Sequence, residues 1–226
     1  MTPTGVSARL RAENIDVWEA MQTHRFVTEI EQDRLPADVL ARYFIFEHSF
    51  VETAVTIFGH ALLKAPAFAQ RRRLIATLHA LSEAQLVWFQ DCFAGLGLVE
   101  TNQPMPSAVQ DFARGMQRIA EDGTYPDIVT IMLAAEWMYG TWCSRANQHP
   151  SREPWLEAWV RLHAEPEFLN GAAWLRAEVD REGAAMDEDG RARLSMLFRR
   201  ALELEIDFHS AAYDSSWPVP RSEETA

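Results

Sequence analysis

Three glutamates lie where the helical pattern of the sequence calls for an apolar side chain. Glu136 falls in IVTIMLAAEWMYGTWCSRA, Glu47 in LARYFIFEHSFVETAVTIFGHAL and Glu205 in RLSMLFRRALELEIDFHSAAY. In each stretch, apolar residues recur at the i, i+3, i+4 and i+7 spacing of an amphipathic helix, and the glutamate lies inside that stripe. Burying an ionised carboxylate without a partner costs several kcal/mol or raises its pKa. The pattern therefore indicates one site lined by three acids, unless a glutamate lies at the edge of its stripe and reaches water.

The elements that must position these acids are helices. Helical periodicity covers nearly the whole chain and strand alternation is almost absent, so we predict an all-α fold, a single-domain helical bundle. The first predicted helix runs from Ser7 to Gln32 with a break near His24, the second contains Glu47 and ends by Pro66, and the third runs from Arg71 to Ala94. Five further predicted helices contain, in order, Phe112, Glu136, Trp159, Trp174 and Glu205. We expect the domain to span residues 1–215 and residues 216–226 to form an extended or disordered tail.

The composition restricts the partners and the location. The formal charge of -12 argues against nucleic acid, because binding a phosphate backbone requires clustered Lys and Arg. The single basic run, Arg71 to Arg73, is best explained as a solvated helix face. No stretch of about 20 apolar residues predicts a membrane span, and the first residues do not have the apolar core of a signal peptide. We therefore expect a cytoplasmic protein with no membrane partner.

The order and spacing of several segments resemble the TenA or thiaminase II family, whose all-helical fold is like that of heme oxygenase. The segments are HRFVTEI, YFIFEHSFV, LAAEWMYG, WVRLHAEPEF and ALELEIDFHSAAY. The last one is the most similar, because a Glu followed by xxF near the C-terminus is characteristic of the family; here these residues are Glu205 and Phe208. The resemblance covers nearly the whole chain and implies the heme-oxygenase-like fold.

The chain departs from the commoner members of this family at the nucleophile. Those members carry a cysteine in a PCxxxY pattern on the central helix, and the corresponding position here is Ala135. Cys143 lies two turns further, roughly 12 Å along a helix, and cannot simply replace it. The sequence AAEWMY is similar to the cysteine-less branch, in which a Glu on this helix, here Glu136, works with the C-terminal Glu.

The resemblance implies a hydrolase of thiamin-related aminopyrimidines. Such an enzyme releases 4-amino-5-hydroxymethyl-2-methylpyrimidine from an aminomethyl or N-formylaminomethyl precursor for thiamin salvage. Water replaces the thiolate, with Glu205 as acid and base for the leaving group and Glu136 activating water, or with these roles reversed. Neither a metal nor a cofactor is expected, and the resemblance suggests a homotetramer or dimer.

The resemblance also implies a set of substrate-binding residues. Glu47 stands where many members carry an Asp that grips the aminopyrimidine. Aromatic walls that tyrosines usually supply correspond to Phe50, Phe112 and His163, with Tyr139 retained and Phe208 beside them. For each of these aromatic residues, plain core packing is an equally good explanation. His163 is also explained as an ordinary, partly buried histidine.

Two other functions remain open from the sequence. Three carboxylates on separate helices, with Glu205 and His209 one turn apart, are compatible with a di-iron oxidase of the same fold, although a His-rich ligand pattern is absent. A pyrimidine-binding or regulatory protein without turnover is the other alternative, since the cysteine is missing. The acidic charge and the lack of a basic helix-turn-helix argue against DNA binding.

Overall fold

The all-helical class predicted from periodicity is confirmed by a computed structural model, which describes residues 5–222. The helices are α1 (Val6–Glu13), α2 (Ile15–Gln22), α3 (Arg25–Glu31), α4 (Ala37–Lys64), α5 (Phe68–Ala80), α6 (Leu86–Leu96), α7 (Ser107–Asp122), α8 (Tyr125–Ala146), α9 (Pro154–Ala164), α10 (Pro166–Ala184) and α11 (Glu188–Ala211). A π-helical turn, Leu81–Gln85, lies between α5 and α6. Within residues 5–222 no helix is long and apolar enough to cross a membrane.

The first predicted helix is divided more often than the sequence pattern indicates. The expected break near His24 is confirmed, and the His24 side chain accepts a hydrogen bond from the backbone N–H of Phe26 at the start of α3. A second break falls at Asn14, whose side-chain amide donates to the Leu10 carbonyl at 2.9 Å. Such local hydrogen bonds between an Asn side chain and the backbone compete with helix continuation. The apolar spacing continues across Asn14, so periodicity alone does not show this break.

The helix that carries Glu136 begins with a capping box. The Asp127 carboxylate accepts a hydrogen bond from the Thr124 backbone N–H at 2.7 Å, while the Thr124 side chain accepts from the backbone N–H of Asp127. Pro126 lies in the first turn, where its missing N–H removes no helical hydrogen bond. Arg193 on α11 donates to the same carboxylate at 3.0 and 3.2 Å. These contacts fix the start of α8.

The chain forms two compact units. The first contains the chain up to Leu35 and Asp122–Ile206, and in it α8 packs against α2, α3, α9 and α10, while α1 packs against α10. The second contains Pro36–Glu121 and the chain from Asp207 onwards, and in it α4 packs against α5, the π-helical turn and α6. The prediction of one domain over residues 1–215 stays a prediction.

The C-terminal segment after α11 packs within the second unit. Trp217 is buried against Phe46, with ring centroids 5.1 Å apart, and its indole N–H donates to the Pro104 carbonyl at 3.0 Å. The buried guanidinium of Arg42 donates to the carbonyls of Ala212 and Trp217, each at 3.0 Å. Residues 1–4 and 223–226 lie outside the described residues, so only 216–222 of the predicted tail are seen here.

Candidate active site

Glu205 is the most deeply buried of the three predicted acids. Its side chain lies on α11 with 1% relative exposure, and its apolar neighbours on that helix, Ala201, Leu202 and Phe208, are also buried. Residues 205 and 208 are separated by about one helical turn, so they lie on one face of α11. The predicted burial of this carboxylate is confirmed.

Glu136 and Glu47 are less buried than the stripes predict. On α8, Glu136 and Trp137 are half-buried, whereas the residues before and after them are buried. On α4, the turn from Glu47 to Phe50 is half-buried throughout. Both acids therefore lie at positions where the covering of their helix is incomplete. The helical periodicity of a sequence shows which face of the helix a residue occupies, but not how completely other elements cover that face.

Tyr43 orients Glu47. The Tyr43 hydroxyl donates a hydrogen bond to Oε1 of Glu47 at 2.9 Å, and the Tyr43 side chain is fully buried. The two residues are four apart on α4, so they occupy neighbouring positions on one helix face. The sequence reasoning missed Tyr43, although its i, i+4 spacing to Glu47 is visible in YFIFE.

Three of the predicted aromatic residues come together in the second unit. The ring of Phe112 lies 4.4 Å from that of Phe50 and 4.8 Å from that of Phe208, measured between centroids. Tyr43 contacts Phe208 edge-on at 6.1 Å. We call Tyr43, Glu47, Phe50, Phe112 and Phe208 the aromatic group. This group combines a carboxylate with a cluster of aromatic rings, and Glu47 and Phe50 both lie on α4.

The remaining predicted residues all lie in the first unit. Tyr139 and His163 have ring centroids 5.5 Å apart, and Trp159, which the sequence reasoning missed, lies 5.5 Å from Tyr139 and 4.1 Å from His163. Glu136 precedes Tyr139 by three residues and so shares its face of α8. We call Glu136, Tyr139, His163 and Glu205 the two-acid group.

His163 has a defined tautomer. Its Nδ1 lies 2.8 Å from the Trp159 carbonyl oxygen, and because a carbonyl only accepts, Nδ1 carries the proton and donates. Burial lowers the pKa of His163 to about 4, against a smaller opposing effect of this hydrogen bond. The imidazole is therefore neutral near pH 7, and its Nε2 presents a lone pair. A tyrosine, the residue that this histidine replaces in the resembled family, can donate a proton where Nε2 can only accept one.

Two further carboxylates are buried, and the sequence reasoning missed both. Asp127 is held by Thr124 and Arg193, as described above. Glu178, on α10, accepts a hydrogen bond from the Tyr125 hydroxyl at 2.9 Å and pairs with Arg181. Burial and the Glu178 carboxylate both raise the pKa of the Tyr125 hydroxyl. Because neighbouring donors compensate these acids, their burial is explained by the packing of α8, α10 and α11.

The di-iron alternative requires several metal-ligating side chains close together. Among residues 5–222, no three or more His, Cys, Asp or Glu side chains are grouped so that they could hold a metal ion. Glu205 and His209 are both buried on α11, and the His209 ring contacts Tyr43 at 5.4 Å. The described ligands therefore offer no specific support for that alternative.

The sequence model of the TENA/THI-4/PQQC family matches residues 12–215. An aminopyrimidine aminohydrolase of Halalkalibacterium halodurans is 22% identical over 204 residues, which cover 88% of this chain and 91% of that protein. The fold is similar to that of a TenA homologue from Pyrococcus furiosus, with a TM-score of 0.85, 17% identity and coverage of 92% of this chain and 100% of the other. A protein from Shewanella denitrificans described as having a heme oxygenase-like fold has a TM-score of 0.71, 11% identity and 92% coverage of both chains.

Proposed function

The chain belongs to the TENA/THI-4/PQQC family, and from this premise we propose that it is an aminohydrolase of thiamin-related aminopyrimidines. The aminopyrimidine aminohydrolase activity named for the Halalkalibacterium halodurans relative supports this assignment. The proposed product is 4-amino-5-hydroxymethyl-2-methylpyrimidine, formed from the 5-aminomethyl or N-formylaminomethyl compound. Its use would be thiamin salvage in the cytoplasm.

The aromatic group is proposed to bind the pyrimidine ring. A 4-aminopyrimidine presents an exocyclic amine that donates hydrogen bonds, and a carboxylate is the strongest acceptor that a protein offers it. The Tyr43 hydroxyl holds Oε1 of Glu47 in a defined position, which reduces the entropy lost when a ligand binds. Phe50, Phe112 and Phe208 supply aromatic surface for a flat ring.

The two-acid group is proposed to carry the reaction. A water molecule attacks the methylene carbon, and the bond from that carbon to nitrogen breaks. The amine takes up one proton and leaves as ammonia. One carboxyl, assigned to Glu205, gives that proton to the departing amine, and the other, Glu136, accepts a proton from water. The reversed assignment has the same proton balance. Ala135 offers no nucleophile, and Cys143 is buried two turns away on α8.

The observation that carries this proposal is the burial of Glu205 in a chain whose family match extends to residue 215. The Glu205 carboxyl has 1% exposure, with buried alanine, leucine and phenylalanine residues beside it, so bulk water has little access to the proton that it is proposed to transfer. The neutral acceptor of His163 adds a position that would suit a donor on the substrate, such as an amine or a formamide N–H.

The proposal is tested by ammonia release from 4-amino-5-aminomethyl-2-methylpyrimidine, with purified protein treated with a chelator. Wild-type protein should release ammonia, and Glu205→Gln should lower kcat by about 10³-fold, because general acid and base groups contribute about 10² to 10⁴. Glu203→Gln is the matched control, since Glu203 lies two residues earlier on α11, is partly exposed and pairs with Arg199. No release by the wild-type protein, with activity appearing after iron is added, would favour the di-iron alternative.

Substrate binding without turnover would instead favour the non-catalytic alternative. Calorimetric titration with the same aminopyrimidine distinguishes a protein that binds the compound without turnover from one that does not bind it. The homotetramer or dimer proposed from the resemblance is tested separately, by the mass of the purified protein from light scattering. A monomer would contradict that proposal without affecting the assignment of the activity.

A further inference from the structure

Trp137, the residue that follows Glu136 on α8, is approached by two guanidinium groups. The guanidinium carbon of Arg176, on α10, lies 4.3 Å from the centroid of the Trp137 ring. That of Arg11, in the last turn of α1, lies 5.2 Å from the same centroid and 5.1 Å from that of Trp18. All four residues lie in the first unit, and none belongs to the two-acid group.

Neither guanidinium has a carboxylate partner among the residues that the structure describes. Within residues 5–222, Arg11 and Arg176 form no ion pair and no side-chain hydrogen bond, and Nε of Arg176 is buried without an acceptor. Most other arginines of the first unit are paired, as Arg193 is with Asp127, Arg199 with Asp16 and Arg145 with Glu31. Two unpaired cations at one tryptophan are unusual in a chain with a formal charge of -12.

Cation–π contact alone does not use the hydrogen-bonding capacity of these groups. A guanidinium carries five N–H donors in a planar fork, and stacking on an indole satisfies none of them. The fork matches the oxygens of a phosphate, which arginine binds through two parallel hydrogen bonds. A buried donor without an acceptor destabilises the folded protein. An oxyanion that supplies the acceptor therefore stabilises it.

We propose that Arg11 and Arg176, on Trp137, form a binding site for the phosphate group of a small molecule. The two guanidinium carbons are at most 9.5 Å apart, the sum of their distances to the shared centroid, and the proposed site requires them to lie on the same side of the Trp137 ring, where the separation is shorter. An oxyanion that accepts hydrogen bonds of about 2.8 Å from both groups can join guanidinium carbons separated by about 8 Å. The ligand is either free phosphate or a phosphate monoester.

The test is calorimetric titration of the full-length protein, at low salt, with inorganic phosphate and with phenyl phosphate. We expect a Kd of about 1 mM or below for at least one of them, as two arginine forks give in a partly buried site. Tighter binding of inorganic phosphate identifies the free ion as the ligand. Tighter binding of phenyl phosphate identifies a monoester.

Variants assign the binding to this site. Arg176→Gln and Arg11→Gln should each weaken binding by about tenfold or more. Arg34→Gln, at an exposed arginine of the same unit with no carboxylate partner within residues 5–222, should leave binding unchanged. If Arg176→Gln does not fold, Arg176→Lys replaces it, and the loss of the fork should still weaken binding about fivefold. Melting temperatures establish that each variant is folded.

Three results would overturn the proposal. The first is that the wild-type protein binds neither anion. The second is that Arg34→Gln weakens binding as much as the other two variants, which indicates screening of the overall charge. The third is that poly-glutamate peptide binds and both phosphates do not, which indicates an acidic protein partner. None of these results depends on the proposed aminohydrolase activity, which is measured independently in the same variants.

Discussion

The aromatic group and the two-acid group each contain a hydrogen bond between residues four apart on one helix, but the two hydrogen bonds have opposite effects. In the aromatic group, a tyrosine hydroxyl donates to the carboxylate four residues later on α4, and so fixes an anion. In the two-acid group, the imidazole of His163 donates to the carbonyl four residues earlier on α9, and so fixes a neutral acceptor. The first region therefore combines a hydrogen-bonded carboxylate with phenylalanine rings, whereas in the second the uncharged ring of His163 lies against Tyr139. This difference supports the proposal that the first region serves recognition and the second the reaction.

The assignment is most sharply tested at Glu136. Replacing it by Gln keeps the size and removes the base, so we expect kcat for ammonia release to fall about 10² to 10³-fold, with KM changed less than threefold. Glu136→Asp keeps a carboxylate and should recover part of the loss. If Glu136→Gln raises KM and leaves kcat unchanged, Glu136 belongs with the recognition residues and the division fails.

The neutral state of His163 is tested through stability. Burial lowers the pKa of His163 to about 4 from its ordinary value of 6.5, so between these values the unfolded chain binds the proton more readily. Stability due to this group is present above pH 6.5 and is lost as the pH falls towards 4. At pH 5 the loss relative to pH 7 should be about 2 kcal/mol.

His163→Gln is the control for this effect, because it removes the titrating group. The pKa values of His24 and His48 are also lowered by burial, so only the difference between the wild type and this variant reports on His163. Urea unfolding at pH 7 and pH 5 measures that difference. Equal losses in the two proteins would show that His163 accepts a proton in the folded state, and the contrast between the regions would disappear.

Glu47→Gln should change recognition and spare the reaction. The amide keeps one acceptor oxygen and loses the charge, so we expect KM to rise about tenfold with kcat within a factor of three. Glu52→Gln, at an exposed position five residues later on α4, is the matched control and should have no effect. A loss of kcat without a change in KM would place Glu47 among the reacting groups instead.

Features encoded by local spacing were predictable from the sequence. The 3.6-residue period identifies the helical class, and the stripe on α11 identifies the burial of Glu205. Both i, i+4 contacts, from Tyr43 to Glu47 and from His163 to Trp159, were also within reach of such reasoning. They require only that two polar groups one turn apart be considered together.

Features that depend on distant segments were not predictable. The partial exposure of Glu47 and Glu136 depends on how completely other elements cover one turn of a helix. The π-helical turn at Leu81–Gln85 shifts the register between α5 and α6 without any glycine or proline to mark it. The arginines on Trp137 come from α1 and α10, more than 160 residues apart in sequence. No period within a single stretch reports such a contact.

The smallest expected effect concerns Tyr43, and it separates orientation from packing. Tyr43→Phe removes the donor to Oε1 of Glu47 but keeps the buried ring beside Phe208. Because a hydrogen bond to a charged group contributes about 1.5 to 3 kcal/mol when intact and water compensates part of it at a half-buried carboxylate, KM should rise only about three- to fivefold. In the Glu47→Gln background the same change should have less effect, since the charge that the hydroxyl orients is already gone. Equal effects in both backgrounds would mean that Tyr43 acts through packing, and the recognition role of the aromatic group would then rest on its rings alone.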